Sequence, residues 1–260
     1  NQAFELVVAA RLSRRGFLES GFLATVGLSV SGISSLLEGV PASAQSVASG
    51  SLLGFTGIAV STADGVIVPA GYTARVLIAW GDPISDGPSF RHDASNTAAD
   101  QALQWGMHND GLVFFPLGPD RGLLAQNNEA SDEGLLFPDG IAGWTAAKTE
   151  KSLNAQGVSI VEVERRDGVW HVKRPSQYAR RITGQTPMAI AGPAAGDDRL
   201  KTSDDPTGES VLGTFANCAM GSTPWGTYLT CEENFNGYFY RASTPETRTP
   251  LERRYGISPS

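Results

Sequence analysis

The sequence has few of the residues and motifs on which the commonest catalytic sites depend. Its three histidines, His92, His108 and His171, lie far apart and form no H-x-H or H-E-x-x-H pair, so a zinc site built from histidines is not expected. The G-x-S-x-G elbow of many serine hydrolases and the Walker phosphate loop are both absent. The usual signatures of three enzyme classes are therefore missing.

Clustered positive charge is also scarce. The chain has 20 basic and 27 acidic residues and a net charge of −7. Beyond the N-terminal region, its basic residues form only short pairs such as Arg165-Arg166 and Arg180-Arg181. Binding to nucleic acid usually requires a basic surface, so no nucleic-acid partner is expected.

The N-terminal residues have the features of an export signal. Residues 13–18, SRRGFL, resemble the twin-arginine motif; a modestly apolar segment follows over 21–37, and Ala42-Ser43-Ala44 offers an A-x-A cleavage site. The apolar segment contains Gly and Ser and is short of the about 20 residues of a membrane span, although a retained N-terminal anchor helix is the alternative. We expect a signal peptide over 1–44, recognition by the twin-arginine translocation machinery, and a periplasmic or extracellular location.

From residue 45 to 260 the pattern is one of short apolar runs separated by Gly, Pro and Asp turns. Such a pattern predicts an all-β fold, whether sandwich, barrel or propeller, because long helical periodicity is absent. Short helical segments are expected at Ala98–Gln104 and Thr145–Gln156, with Lys148, Glu150 and Lys151 exposed. The predicted strands are Phe55–Val60, Val66–Val68, Tyr72–Ala79, Leu112–Leu117, Gly122–Gln126, Val158–Arg165 and Val169–Lys173.

The segment Gly213–Phe239 contains the densest set of polar and metal-ligating residues. Its sequence, GTFANCAMGSTPWGTYLTCEENFNGYF, predicts two short strands around the turn at Gly221–Pro224, with Val211 and Leu212 supplying apolar residues to the first. A thiolate near carboxylates suits a borderline or hard cation such as iron or calcium. The spacing matches no standard metal signature, so a glycine-rich hairpin with incidental polar residues is the alternative.

This segment, together with the preceding residues 190–208, resembles the PhoX-type alkaline phosphatases in a nearly continuous match. The resemblance implies an exported metal-dependent enzyme that hydrolyses phosphate monoesters, with iron and calcium as cofactors and a β-propeller fold. Members of that family are considerably longer. We therefore expect residues 45–260 to form the N-terminal part of a propeller, incomplete in this chain and with short helical insertions.

The resemblance also implies metal ligands. Cys218 matches the iron-binding cysteine of the Asn-Cys-Ala-x-Gly segment, where Met220 departs from the expected Gly. Glu233 matches the carboxylate of the Glu-Glu-Asn-Phe run. Glu129 ends a segment like the family's Asn-His-Glu, in which Asn128 replaces His.

Further residues are expected beside the site rather than as its principal ligands. Of the adjacent Glu232 and Glu233 only one can face the site, because successive strand residues face opposite sides, and Glu232 is the one expected to face solvent. His108 and Asp197 stand where the family would have Asn and His. No residue is assigned to proton transfer or to holding the phosphate. The expected neighbours of the site are Asn217, Glu232, Asn109 and Asp110.

Two other functions are compatible with the residues. One is a non-catalytic exported propeller that binds a partner and contains a Cys218–Cys231 disulfide, which an oxidising compartment permits. The other is a metal-dependent lactonase or esterase on a similar propeller. In the phosphatase interpretation, Cys231 is expected to be a small buried residue without a role at the site.

Overall fold

The computed structural model describes residues 55–241 and 247–259, so the predicted signal peptide lies outside the described residues. The chain divides into two compact units, Asn1–Ala74 and Arg75–Ser260. The described part of the first unit, residues 55–74, contains no helix or strand. All elements discussed below belong to the second unit.

The second unit is mostly β, with a few short helices between the strands. The helices are α1 (Ala98–Gln101), α2 (Glu133–Leu136), α3 (Ala146–Ala155) and α4 (Pro250–Arg254), with 3-10 turns at Asp198–Leu200 and Phe235–Tyr238. The strands are β1 (Asn109–Gly118), β2 (Arg121–Asn128), β3 (Gly157–Arg166), β4 (Val169–Val172), β5 (Arg180–Ile182), β6 (Pro187–Ala189), β7 (Ser210–Leu212), β8 (Asn217–Ser222) and β9 (Tyr228–Glu232).

None of the helices within 55–241 and 247–259 combines the length and the apolar character needed to cross a bilayer.

A five-stranded antiparallel sheet forms the centre of the unit, in the order β1-β2-β3-β4. The fifth strand, β5, also pairs with β3, along Val158–Ile160, whereas β4 pairs along Val163–Arg166. The turn between β3 and β4 is at Asp167-Gly168, where both residues have positive φ (51° and 79°), as tight hairpin turns require. Strands β6-β7 and β8-β9 form two further two-stranded sheets.

The core lies on both faces of β3. Val158 and Ile160 pack on one face with Ala125, whereas Val161 and Val163 pack on the other with the fully buried Trp105. Because strand residues alternate in direction, a run that is buried throughout indicates that both faces are covered. Complete burial of one such side chain stabilises the fold by about 1.5–3 kcal/mol. Because most residues of β3 are buried, this strand contributes strongly to the stability of the unit.

The predicted hairpins β1-β2, β3-β4 and β8-β9 are confirmed by the strand pairing. The predicted strands at Phe55–Val60, Val66–Val68 and Tyr72–Ala79 are wrong, because no described residue in these segments lies in a strand. Their apolar side chains are largely exposed; the exposed fractions of Val60 and Val66, for example, are 102% and 82%. Among the described residues, no neighbouring strand covers the apolar face that the alternating sequence pattern predicted.

Three other expectations also need correction. Val211 and Leu212 belong to β7 and pair with β6, not with the hairpin that follows. Lys151 is buried rather than exposed, because its ammonium donates to the carbonyls of Ala94 (2.9 Å) and Leu136 (2.7 Å). Cys231 is exposed rather than buried.

Candidate metal centre

Two carboxylates are placed by the pairing of β1 with β2. Asn109 lies opposite Asn128, so Asp110 follows Asn109 on one strand and Glu129 follows Asn128 at the end of the other. The Glu129 backbone N–H donates to the His108 carbonyl at 2.9 Å. The two carboxylates are therefore held at the same end of the sheet, on neighbouring stretches of backbone.

Irregularities in two hairpins bring the thiol to these carboxylates. The register of β1 with β2 shifts between Asn109 and Leu112, and that of β8 with β9 shifts between Asn217 and Met220. Asp110 lies within the first shift and Cys218 within the second. Such bulges turn a side chain away from the regular alternation of a strand and are common beside functional sites.

Strand β8 can approach β1 closely because residue 111 is a glycine. A Cβ atom at Gly111 would lie 2.2 Å from Met220 Cγ and 3.2 Å from the Cys218 carbonyl oxygen. The first distance is far shorter than a van der Waals contact. The absence of a side chain at this position is therefore what allows the Cys218 backbone to lie against Asp110-Gly111.

The result is a cluster of three potential ligands, Asp110, Glu129 and Cys218. One thiol or carboxylate atom from each lies within 4.8 Å of those of the other two. Asp110 is exposed, whereas Glu129 and Cys218 are partly buried. One sulfur and two hard oxygen donors at this spacing fit a borderline cation such as iron, and the carboxylates alone also suit calcium.

The electrostatics of the cluster favour a bound cation. Hydrogen bonds from the thiol to Glu233 and to Asp110, together with burial and the charges of these carboxylates, raise the pKa of Cys218 to about 12. The thiol is thus protonated at neutral pH when only carboxylates surround it. A cation would neutralise this concentration of negative charge and favour the thiolate, which is the form that binds metals.

Of the three ligands expected from the sequence, the structure brings Cys218 and Glu129 into one cluster, with Asp110 as the third member. The Glu233 side chain contacts the Cys218 thiol but is not among the three mutually close ligands. Glu232 is exposed as expected, and it accepts hydrogen bonds from Thr214 Oγ1 (2.9 Å) and the Phe215 N–H (3.3 Å). Cys218 and Cys231 are both free thiols.

The two asparagines expected near the site support it rather than face the cluster. Asn109 Oδ1 accepts hydrogen bonds from Trp105 Nε1 (2.8 Å) and Asn128 Nδ2 (3.0 Å). Asn217 is fully buried and donates to Thr214 and Thr230. Its Oδ1 atom has no hydrogen-bond partner within the described residues.

Sequence reasoning missed Gly111 and Asn127. The signal that could have indicated Asn127 is the amide run Gln126-Asn127-Asn128 at the end of a predicted strand, because consecutive amides are unusual at positions that a sheet buries. For Gly111, the sequence contains no comparable signal, since its importance depends on residues 218–220 packing against it.

The fold and the cluster define a class, a mostly-β protein with a candidate metal site that combines a thiol with carboxylates. The particular family follows from comparison with known proteins, because a family model described as Alkaline phosphatase PhoX matches residues 53–260. The chain belongs to this family.

One solved structure is similar at the level of both sequence and fold: "Pseudomonas fluorescens PhoX in complex with vanadate, a transition state analogue". It has 45% sequence identity and a TM-score of 0.76, and the match covers 78% of this chain and 36% of that one. The chain thus spans little more than a third of the length of the solved relative. A search of curated proteins found no match.

Proposed function

We propose that the chain contributes the thiol-containing metal site of an exported alkaline phosphatase that hydrolyses phosphate monoesters and releases inorganic phosphate. The observation that carries this proposal is the cluster of Asp110, Glu129 and Cys218, whose ligand atoms lie within 4.8 Å of one another. Membership of the alkaline phosphatase family and the vanadate complex of the similar enzyme support the same reaction.

The residues divide by their chemistry. Cys218 is the proposed iron ligand, because its soft sulfur binds iron but not calcium. Glu129 and Asp110 supply hard oxygens to either cation, and Glu233, in contact with the thiol, is a further carboxylate for the same centre. When bound, the cations would supply positive charge to the phosphoryl oxygens and so stabilise an in-line displacement.

The chain's own residues prepare the centre in two ways. The β1-β2 pairing sets the separation of Asp110 from Glu129, and the packing of β8 against Gly111 sets the position of Cys218. Such preorganised ligands reduce the ordering cost of binding a cation.

The wider architecture and location are part of the proposal. The order β1-β2-β3-β4 has the four antiparallel strands of one propeller blade, which supports a propeller of which this chain forms some of the blades. We propose that residues 1–44 are a twin-arginine signal peptide and that the enzyme acts in the periplasm or outside the cell on small phosphate esters.

The test compares Cys218→Ser with the matched control Cys231→Ser, both in the protein at its natural length. We expect iron content and phosphatase activity to fall together in Cys218→Ser, and both to persist in Cys231→Ser, because Cys231 is exposed and outside the cluster. Metal would be measured by elemental analysis and activity on a chromogenic phosphate monoester.

The same preparation distinguishes the other functions. A metal-free wild type with Cys218 oxidised to Cys231 would favour the disulfide-containing binding module and contradict the phosphatase proposal. Hydrolysis of carboxylic esters or lactones without hydrolysis of phosphate esters would favour the lactonase or esterase.

A further inference from the structure

Two adjacent asparagines at the end of β2, Asn127 and Asn128, precede Glu129 of the cluster. They contact the segments that carry the other two cluster residues, Cys218 and Asp110. Asn127 and Asn128 are both 0% exposed. As neighbours on a strand they point to opposite faces of the sheet. Each donates from its side-chain NH2 group to one of these segments, and its side-chain oxygen accepts hydrogen bonds from other residues.

Asn127 is bound to the hairpin that contains Cys218. Its Nδ2 donates to the Cys218 carbonyl oxygen at 2.7 Å. Its Oδ1 accepts from the hydroxyls of Tyr228 (2.8 Å) and Thr230 (2.9 Å) on β9. One buried amide thus joins β2 to both strands of the hairpin, at the backbone of the candidate ligand itself.

Asn128 makes the equivalent connection on the opposite face. Its Nδ2 donates to Asn109 Oδ1 at 3.0 Å, one residue before Asp110. Its Oδ1 accepts from Ser159 Oγ and from Arg181 Nη1. The orientation of this amide is therefore set, because only the oxygen can accept from the guanidinium.

Among the described residues, the guanidinium of the partly buried Arg181 has no carboxylate hydrogen-bond partner. Besides Asn128 and Ser159, its guanidinium donates to the carbonyl oxygens of Asn154 (2.9 Å) and Gln156 (2.6 Å). Burial lowers the pKa of Arg181 to about 9, which leaves it protonated at neutral pH. Within the described residues, the dipoles of neutral oxygen atoms stabilise its charge, and Asn128 Oδ1 is one of these atoms.

We propose that Asn127 and Asn128 are paired positioning residues for the metal centre, Asn127 fixing the backbone of Cys218 and Asn128 fixing the strand end that bears Asp110. This inference rests on the proposed function, because it assumes that the cluster binds a cation. It adds two residues that are not ligands. Their loss is expected to weaken metal binding about 10–100-fold, as is typical for groups that orient metal ligands.

Two substitutions separate this role from a general contribution to folding. Asn128→Asp keeps the oxygen that faces Arg181 and turns that contact into an ion pair, but removes the donor to Asn109. It leaves a carboxylate oxygen facing the Asn109 Oδ1 acceptor, so it should hold metal less tightly than its melting temperature alone would explain. Asn127→Ala removes the contact with the Cys218 backbone without introducing charge.

The matched control is Asn96→Ala, which removes a buried asparagine outside the cluster. Asn96 Oδ1 accepts from the Arg91 N–H (2.6 Å), and its Nδ2 donates to the Ser89 carbonyl (3.2 Å) and to Asp100. Its loss should lower thermal stability by an amount comparable to that in Asn127→Ala. It should leave metal binding unchanged, because none of its partners belongs to the metal site.

The experiment uses the metal-loaded protein at its natural length and measures the rate at which EDTA removes the metal, together with the melting temperature. We expect metal loss to accelerate about 10-fold or more in Asn127→Ala and Asn128→Asp, and no change of rate in Asn96→Ala despite its own loss of melting temperature. Rates in both variants equal to that of Asn96→Ala would overturn the inference alone. A wild-type protein that holds no metal would overturn the proposed function as well.

Discussion

The close approach of β8 to β1 predicts that Gly111→Ala damages both stability and the metal site. The new methyl carbon would lie 2.2 Å from Met220 Cγ and 2.8 Å from Met220 Cβ. These atoms are near the backbone, so rotation of the end of the Met220 side chain cannot relieve the overlap. Either β8 moves outward or the strand backbone distorts.

The expected cost follows from two opposing effects. Replacing Gly by Ala at a compatible position stabilises a protein by about 0.4–1 kcal/mol through the unfolded chain, whereas overpacking of this kind costs about 1–3 kcal/mol. Gly118→Ala is the matched control on the same strand, because nothing lies within 4 Å of its added Cβ. We expect Gly111→Ala to unfold about 2 kcal/mol more easily than Gly118→Ala, which is about 4–8 °C in melting temperature for a domain of this size.

The assay is urea unfolding of both variants, combined with a double-mutant cycle. Met220→Gly removes the two overlapping atoms and leaves only the Cys218 carbonyl, at 3.2 Å. In that background Gly111→Ala should cost at least about 1 kcal/mol less, which is the range of coupling between residues in contact. Equal stability of Gly111→Ala and Gly118→Ala, or additive effects in the cycle, would refute the idea that Gly111 sets the distance between the strands.

Two further predictions concern stability, each measured by chemical unfolding. Burial raises the pKa of Glu162, but hydrogen bonds from Ser176, Arg121 and Lys173 outweigh it and lower that pKa. The stabilisation by ionised Glu162 is therefore complete above the unfolded-state pKa and is lost as the pH falls through the folded-state pKa. Glu162→Gln should lower the free energy of unfolding at neutral pH and should make that free energy depend less on pH in the acid range. Lys151→Met should cost about 1–3 kcal/mol, because two buried carbonyls lose their donor. An unchanged unfolding midpoint would contradict each of them.

The strand pairs of the central sheet were predictable because their apolar runs are long and their turns are distinctive. Asp167-Gly168, for example, has the residues that a tight hairpin requires, and β3 is buried along most of its length. The errors near residues 55–79 have the opposite cause. Apolar residues such as Val60 and Val66 are exposed there, and periodicity shows which side chains would share a face without showing whether a second strand covers it.

The cluster was only partly predictable. Cys218 and Glu129 were identified through the resemblance of their segments to a family, whereas Asp110 was expected only as a neighbour. Its place in the cluster depends on a register shift in β1, and the local sequence does not indicate such a shift. The buried network of Arg181 and Asn128 is equally non-local. No property of the local sequence distinguishes Arg181 from its exposed neighbour Arg180.

The spacing of the cluster residues along the chain has a consequence for the order of folding. Asn109 and Asn128, which hold the two carboxylate segments together, are 19 positions apart and joined by one hairpin. Asn127 and Cys218 are 91 positions apart. Closing the longer loop costs about 1.4 kcal/mol more in chain entropy, and non-local contacts form more slowly. We therefore expect the carboxylates to be brought together first and the thiol last, so that the cluster is complete only once the β8-β9 hairpin has docked.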